Sequence, residues 1–208
     1  MIGNIREMPE WLDVSRETVS RLESFCEIVT KWTPAVNLIA KSTVPDIWNR
    51  HILDSAQLFT LTPPQTRSWL DLGSGAGFPG LVIAILSKEH RPELLVTLVE
   101  ADKRKAVFLA EAARTIGVAV AIDCARAESL QPKAADVVSA RAFASLDILC
   151  RHAQRHLHTD GVAVFSKGSS AGVEIDVARQ NWKFSLDVHA SRTDPAASIL
   201  LVSNIQNV

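Results

Sequence analysis

The chemistry is concentrated in ten consecutive residues, Asp71-Leu72-Gly73-Ser74-Gly75-Ala76-Gly77-Phe78-Pro79-Gly80. Alternate glycines let a backbone turn tightly and approach a ligand closely. Apolar residues precede the motif and a helical pattern follows it. It therefore sits where a strand hands over to a helix, and open α/β sheets bind ligands outside the carboxyl ends of their strands. Two ligand classes compete. Gly75, Gly77 and Gly80 satisfy G-x-G-x-x-G, and Glu100 lies about 20 residues on, as in a dinucleotide fingerprint. Read from Asp71, the motif is instead an acid followed by Gly73, Gly75 and Gly77. An acid at the strand end opposes a pyrophosphate and favours the ammonium and sulfonium of S-adenosylmethionine. This second reading is preferred; a tight turn that binds nothing is the bland alternative.

Two further positions belong to the same site. Glu100 ends the next apolar strand, where a carboxylate can accept hydrogen bonds from both ribose hydroxyls. A helix cap before Asp102 would also explain it. Ala127 and Glu128 follow the third strand, where an adenine edge would lie; an ordinary polar loop is the alternative.

These residues need a scaffold, and hydrophobic periodicity supplies one. Val19, Leu22, Phe25, Ile28, Val29 and Trp32 recur at three- and four-residue steps, which predicts an amphipathic helix from Val14 to Trp32, ended by Pro34. A second helical stretch is expected from Pro45 to Phe59. Strands are expected at Ser68 to Leu72, Leu94 to Val99, Val118 to Ile122, Asp136 to Ser139 and Gly161 to Phe165. Helices follow the glycine motif, run from Asp102 to Ile116 with Gly117 closing them, and run from Leu146 to His156. Such alternation means a parallel sheet covered on both faces. Phe184 to Val188 and Ile199 to Val202 leave no room for a helix between them, so they should form an antiparallel edge hairpin. A nicotinamide-type Rossmann domain is wholly parallel, whereas class I methyltransferases end with one reversed strand. The expected architecture is an α/β fold of that class, with a mostly parallel seven-stranded sheet over 65–208. An N-terminal helical extension, 1–64, is expected to pack with it as one unit.

Composition sets bounds. The chain has 208 residues, of which 47% are apolar, enough for a sizeable core. The opening MIGNIREMPEWLD is charged and lacks the apolar stretch of a signal peptide. No run is apolar enough to span a membrane, so a cytoplasmic protein is expected. Cys26, Cys124 and Cys150 are odd in number and unpaired in sequence, which indicates neither zinc nor a redox dithiol. A net charge of −1 does not advertise nucleic-acid binding.

Longer segments narrow the reading. Asn37-Leu38-Ile39-Ala40, Arg50-His51-Ile52-Leu53-Asp54-Ser55, the loop DLGSGAGFPG, Ala127-Glu128 and Ser139-Ala140-Arg141-Ala142-Phe143-Ala144 together resemble one family. It is the ribosomal RNA small-subunit methyltransferase G family, also called glucose-inhibited division protein B. The resemblance runs from about Phe25 to Lys167-Gly168. It implies S-adenosylmethionine-dependent methylation of guanine N7, at guanosine-527 of 16S rRNA, in the bacterial cytoplasm. Gly73, Phe78, Ala127 and Glu128 would contact the donor. Arg141 would lie at the donor site facing the RNA, as the catalytic position.

Elementary chemistry is consistent with that implication. Guanine N7 carries an in-plane lone pair and needs no general base, only alignment with the methyl group. No Asn/Asp-Pro-Pro-aromatic motif and no Pro-Cys nucleophile is present. Arg141 is expected to hydrogen-bond guanine O6 or a flanking phosphate, leaving N7 free. A structural ion pair with Asp71 or Glu128 is the alternative. Lys103, Arg104 and Lys105, with Arg50, His51 and Lys167, could supply a basic RNA surface that net charge conceals. A solvated helix face would explain the first three equally well. Arg151, His152, Arg155, His156 and His158 are read as a solvated helix face rather than a metal site. Trp11, Trp32 and Trp48 are read as core rather than as base-stacking platforms. The expected partner is 16S rRNA or the small subunit, not DNA or membrane, and a monomer is expected. A small-molecule methyltransferase and a non-enzymatic donor-binding module remain the rival readings.

Overall fold

The computed structural model describes residues 8–208; the opening segment read for a signal peptide lies largely outside them. Seven strands form one sheet in the order β3-β2-β1-β4-β5-β7-β6. They are β1 (Ser68–Leu72), β2 (Leu95–Val99), β3 (Ala121–Asp123), β4 (Ala135–Arg141), β5 (Leu157–Lys167), β6 (Trp182–Ala190) and β7 (Ser198–Asn207). Strands β1 to β5 pair in parallel, and β7 runs antiparallel to both β5 and β6. The expected edge hairpin is present.

Strand alternation divides the core in two. On β1 and β2, Trp69, Val96 and Leu98 face one way, towards α1 (Arg16–Val36), α3 (Gly80–His90) and α4 (Lys103–Ile116). Leu70, Leu72 and Val99 face the other way, with α5 (Leu146–His156). Helix α1 contributes Leu22, Phe25 and Val29, all fully buried, to the first core. Phe25→Ala is therefore expected to cost about 3–5 kcal/mol in urea denaturation, as for other large-to-small core changes.

Helix α4 follows its sequence signals. Asp102 accepts hydrogen bonds from the Arg104 and Lys105 amides, and Gly117 takes the left-handed conformation at the far end. Four expectations need correction. Pro34 lies inside α1, whose last turn continues to Val36. Val36 is buried, Asn37 takes the left-handed cap, and its amide bonds to the Thr33 carbonyl. The stretch from 45 to 59 is not one α-helix. It is a 3-10 segment at Lys41–Asp46, a π-helical segment at Trp48–Leu53, then α2 (Asp54–Leu61). Helix α6 (Ala171–Ala178) went unforeseen because only Ala171 and Ala178 are buried, which leaves no apolar stripe. The topology needs it, because β5 and β6 point the same way and require a crossover. The face of α5 that carries His152 and His156 is not solvated; both rings are buried. Among the described residues no cluster of His, Cys, Asp or Glu could hold a metal, and no helix is long and apolar enough to cross a membrane.

Candidate functional site

The site lies at the carboxyl ends of β1, β2 and β4, and its foundation is Asp71. This residue is fully buried behind the glycine loop. One carboxylate oxygen accepts from Ser139 Oγ at 2.7 Å, the other from the Gly80 amide at 3.2 Å. Ser139 in turn accepts from Trp69 Nε1 at 2.8 Å. Asp71 therefore fastens β1, β4 and the start of α3 together. Its charge lies beneath the loop rather than on the groove surface, where the sequence reading placed it.

Above it is a groove of about 260 Å³, lined by Gly73, Gly75, Glu100, Lys105, Ala127 and Glu128 among others. Glu100 accepts from the Gly75 amide and the Asp102 amide, both at 2.8 Å, so it ties the loop to the end of β2. Glu100 lies in the lining of this groove, where a carboxylate can accept from ribose hydroxyls. At Gly75 a Cβ would find one backbone oxygen, at 3.7 Å, and otherwise open space. That open space beside an acid is the fit expected for a donor cradle.

A second, wider cleft of about 890 Å³ adjoins it, lined by Arg50, His51, Asp54, Arg141, Lys167 and Thr193, among others. Ala142 and Phe143 line both spaces and form the partition between them.

The wall of the wide cleft is an interlocked polar unit. Arg141 donates to Asp54 Oδ2 at 2.8 Å and to the Arg50 carbonyl at 3.0 Å, and it also meets His51 Nδ1. The ion pair foreseen as an alternative exists, but its partner is Asp54, not Asp71 or Glu128. Guanidinium can only donate, so His51 Nδ1 must be the acceptor. Nε2 then carries the proton and donates to Thr43 Oγ1 at 3.0 Å. His51 is thus neutral, and its ring stacks on Phe78 with centroids 4.9 Å apart. Asp54 is held from its other side by Gln57 Nε2 and Thr193 Oγ1, both at 3.0 Å. Buried Gln57 also bonds Ser191 and accepts from the Arg192 amide. The β6–β7 loop is therefore bolted to the Arg141 unit. Thr43, Gln57, Ser191 and Thr193 went unnoticed in sequence, because 134 residues separate Gln57 from Ser191 and no local pattern links them.

Several expected site residues sit elsewhere. Phe78 lines neither space; it is buried between Phe25 and His51. Gly77 also turns inward, towards Leu81 and Phe25. His51 offers no cation, for the reasons above. Lys167 lines the wide cleft, but its ammonium is bound to Glu174 at 2.7 Å and the Ala144 carbonyl at 2.6 Å. Arg50 is exposed at that cleft, Lys105 reaches the groove, and Lys103 and Arg104 are exposed on the first turn of α4. The RHILDS segment meets the glycine loop through the His51–Phe78 stack, and Arg50, His51 and Asp54 line the wide cleft.

Two buried groups titrate in opposite senses. Burial, reinforced by the charges of Arg141 and Arg50, pushes His51 from 6.5 down to about 4. Burial pushes Asp71 from 3.8 up to about 6, against hydrogen bonds from Ser139 and Gly80 that favour the charge. The folded His51 binds fewer protons than the unfolded one, so stability is lost as pH falls from 6.5 towards 4. Asp71 does the reverse: the cost of its buried charge is relieved as pH falls from about 6 towards 3.8. Each is worth on the order of 3 kcal/mol, and the two largely cancel. In urea denaturation across this window, Asp71→Asn is expected to lose stability on acidification faster than wild type, and His51→Gln more slowly.

The chain matches the family described as rRNA small subunit methyltransferase G over residues 18–196. It is 50% identical over 197 residues to ribosomal RNA small subunit methyltransferase G of Cereibacter sphaeroides, covering 95% of this chain and 96% of that one. Among solved structures it resembles a ribosomal protein L11 methylase from Lactobacillus delbrueckii. The TM-score is 0.57 and the identity 18%, with 72% of this chain and 76% of that one covered. It also resembles a TehB-like S-adenosylmethionine-dependent methyltransferase from Corynebacterium glutamicum. There the TM-score is 0.54 and the identity 16%, with 72% and 86% covered. At such identities these structures speak for the fold alone, which is that of class I methyltransferases. The sequence matches settle the family: this chain belongs to the rRNA small subunit methyltransferase G family.

Proposed function

We propose that this protein transfers a methyl group from S-adenosylmethionine to N7 of a guanosine in 16S rRNA, guanosine-527 by the family resemblance. One observation supports this most: a glycine groove and a wide, open cleft meet at a single thin partition, Ala142 and Phe143. The groove suits the donor, and the cleft is wide enough for a nucleotide still attached to a large RNA.

Gly73, Gly75, Glu100, Ala127 and Glu128 would hold the donor, with Asp71 bracing the loop from below. When bound, S-adenosylmethionine supplies an electrophilic methyl group; the sulfonium charge passes to the base and no proton changes hands. The protein's task is then alignment and exclusion of water. Its wall fits that task. His51, Asp54, Lys167 and Glu174 are all bound within the wall, so none is poised to take a proton. The acceptor becomes cationic as it reacts, so uncompensated cations beside it would oppose the step. Asp54 and Glu174 compensate Arg141 and Lys167. Arg141 still has donors to spare, since a guanidinium has five N–H groups and three are engaged. These can reach O6 or a phosphate and leave N7 free. Arg50, Lys103, Arg104 and Lys105 remain outside for the RNA backbone, and the protein acts as a monomer.

The test is incubation with methyl-labelled donor and small ribosomal subunits that lack the modification. Label is expected in 16S rRNA, and none in subunits already modified. Tight donor binding without label in RNA would turn the search to small molecules or to a donor-sensing role.

A further inference from the structure

We infer that Phe143 is the platform on which the acceptor base stacks. This rests on the function proposed above. Methyl transfer needs the acceptor atom within about 3–3.5 Å of the methyl carbon. The donor groove and the acceptor cleft touch only at Ala142 and Phe143, so the reacting base must come to rest at that partition. Phe143 is 37% exposed, so its ring lies partly open at that partition. The backbone works to keep it there. Ala142 has φ +50°, a left-handed conformation that costs a non-glycine residue about 1 kcal/mol. It throws the following side chain out of the β4 line and across Gly73, where a Cβ on the glycine would lie 2.3 Å from the ring. Buried His152 supports the ring edge-on from below, with centroids 5.7 Å apart.

The rest of the cleft offers no substitute. The other aromatic ring in its lining is His51, which is buried and already stacked on Phe78. Stacking is also the contact this reaction can best tolerate. It fixes the plane of a purine drawn out of an RNA strand without engaging any atom on its edge. A hydrogen-bond donor placed at N7 would occupy the lone pair that reacts. The ring's face thus sets position, and Arg141 is left to choose among edges.

The rival role for Phe143 is as part of the donor groove, since its ring also lies over Gly73. Phe143→Ala, Phe143→Leu and Phe143→Trp separate the two. Single-turnover kcat/KM is measured on unmodified small subunits, and binding of S-adenosylhomocysteine by calorimetry, with thermal melting alongside. Alanine and leucine are expected to lose about ten- to a hundred-fold in kcat/KM, while tryptophan stays near wild type. All three should bind S-adenosylhomocysteine and melt much as wild type does. Leucine at wild-type activity would overturn the inference, because it keeps apolar bulk and loses only the π-face. So would alanine weakening S-adenosylhomocysteine binding as much as it weakens transfer. A wild-type protein that transfers no methyl group to subunits would instead bring down the functional reading, and the stacking role with it.

Discussion

Gly75→Ala is expected to weaken donor binding while leaving the fold standing, and Gly80→Ala to destabilise the fold. The two glycines look equivalent in sequence. At Gly75 the missing Cβ faces open space in the groove, with one backbone oxygen at 3.7 Å. Its φ of +52° adds roughly 1 kcal/mol of strain to an alanine. A methyl group there fills space that the donor needs, and affinity should fall by at least about ten-fold. At Gly80 a Cβ would lie 2.2 Å from Leu98 and 2.7 Å from the Asp71 carboxylate. That overlap is with packed core and with the brace of the loop itself, so repacking costs about 1–3 kcal/mol or more. Calorimetry with S-adenosylhomocysteine and a thermal melt on each variant read the difference.

Arg141→Ala is expected to lower methyl transfer on the order of a hundred-fold, the usual penalty for a misplaced acceptor, with donor affinity little changed. Arg141 lines the acceptor cleft and not the groove. Removing it strands one oxygen of Asp54 and leaves His51 Nδ1 without its donor. Both sites are mostly enclosed, so stability should also fall by about 1–3 kcal/mol. Arg141→Lys should recover little of the transfer. A single ammonium cannot serve Asp54, the Arg50 carbonyl and His51 together, as the planar fork does. Asp54→Asn separates structure from charge, since it keeps the shape of the wall but leaves Arg141 uncompensated beside a base that, on the proposed N7 transfer, becomes cationic. Its transfer rate should lie between those of wild type and Arg141→Ala. A rate equal to wild type would remove charge compensation from the mechanism.

How much of this could be read from the chain follows the range of the forces involved. Asp102 and Gly117 cap α4 through bonds spanning a few residues, so their types alone announce it. The edge hairpin is likewise a matter of chain length between two apolar runs. The π-helical turn that presents Arg50 and His51 has no such signature, because long-range partners hold it. Phe78 was expected as a donor contact from the family resemblance alone, yet its ring fills a gap between α1 and His51. His152 and His156 looked solvated because they share a helix with Arg151 and Arg155. Here they sit beneath the loop that carries Ala127 and Glu128, and His156 Nε2 meets the Ala127 carbonyl. Asp71 was right as an acid at the strand end, but its depth below the loop depends on β4 and Ser139.

The most direct measurement is the position and chemistry of the methyl group. Small subunits lacking the modification would be treated with the protein and labelled donor, and their 16S rRNA would be digested to nucleosides. A parallel sample would be subjected to the strand scission that follows N7 methylation. Label running as 7-methylguanosine, with one scission site at guanosine-527, is the expected result. Label on an exocyclic amine, on ribose or at scattered guanosines would contradict the reading of a cleft built for in-plane attack by N7.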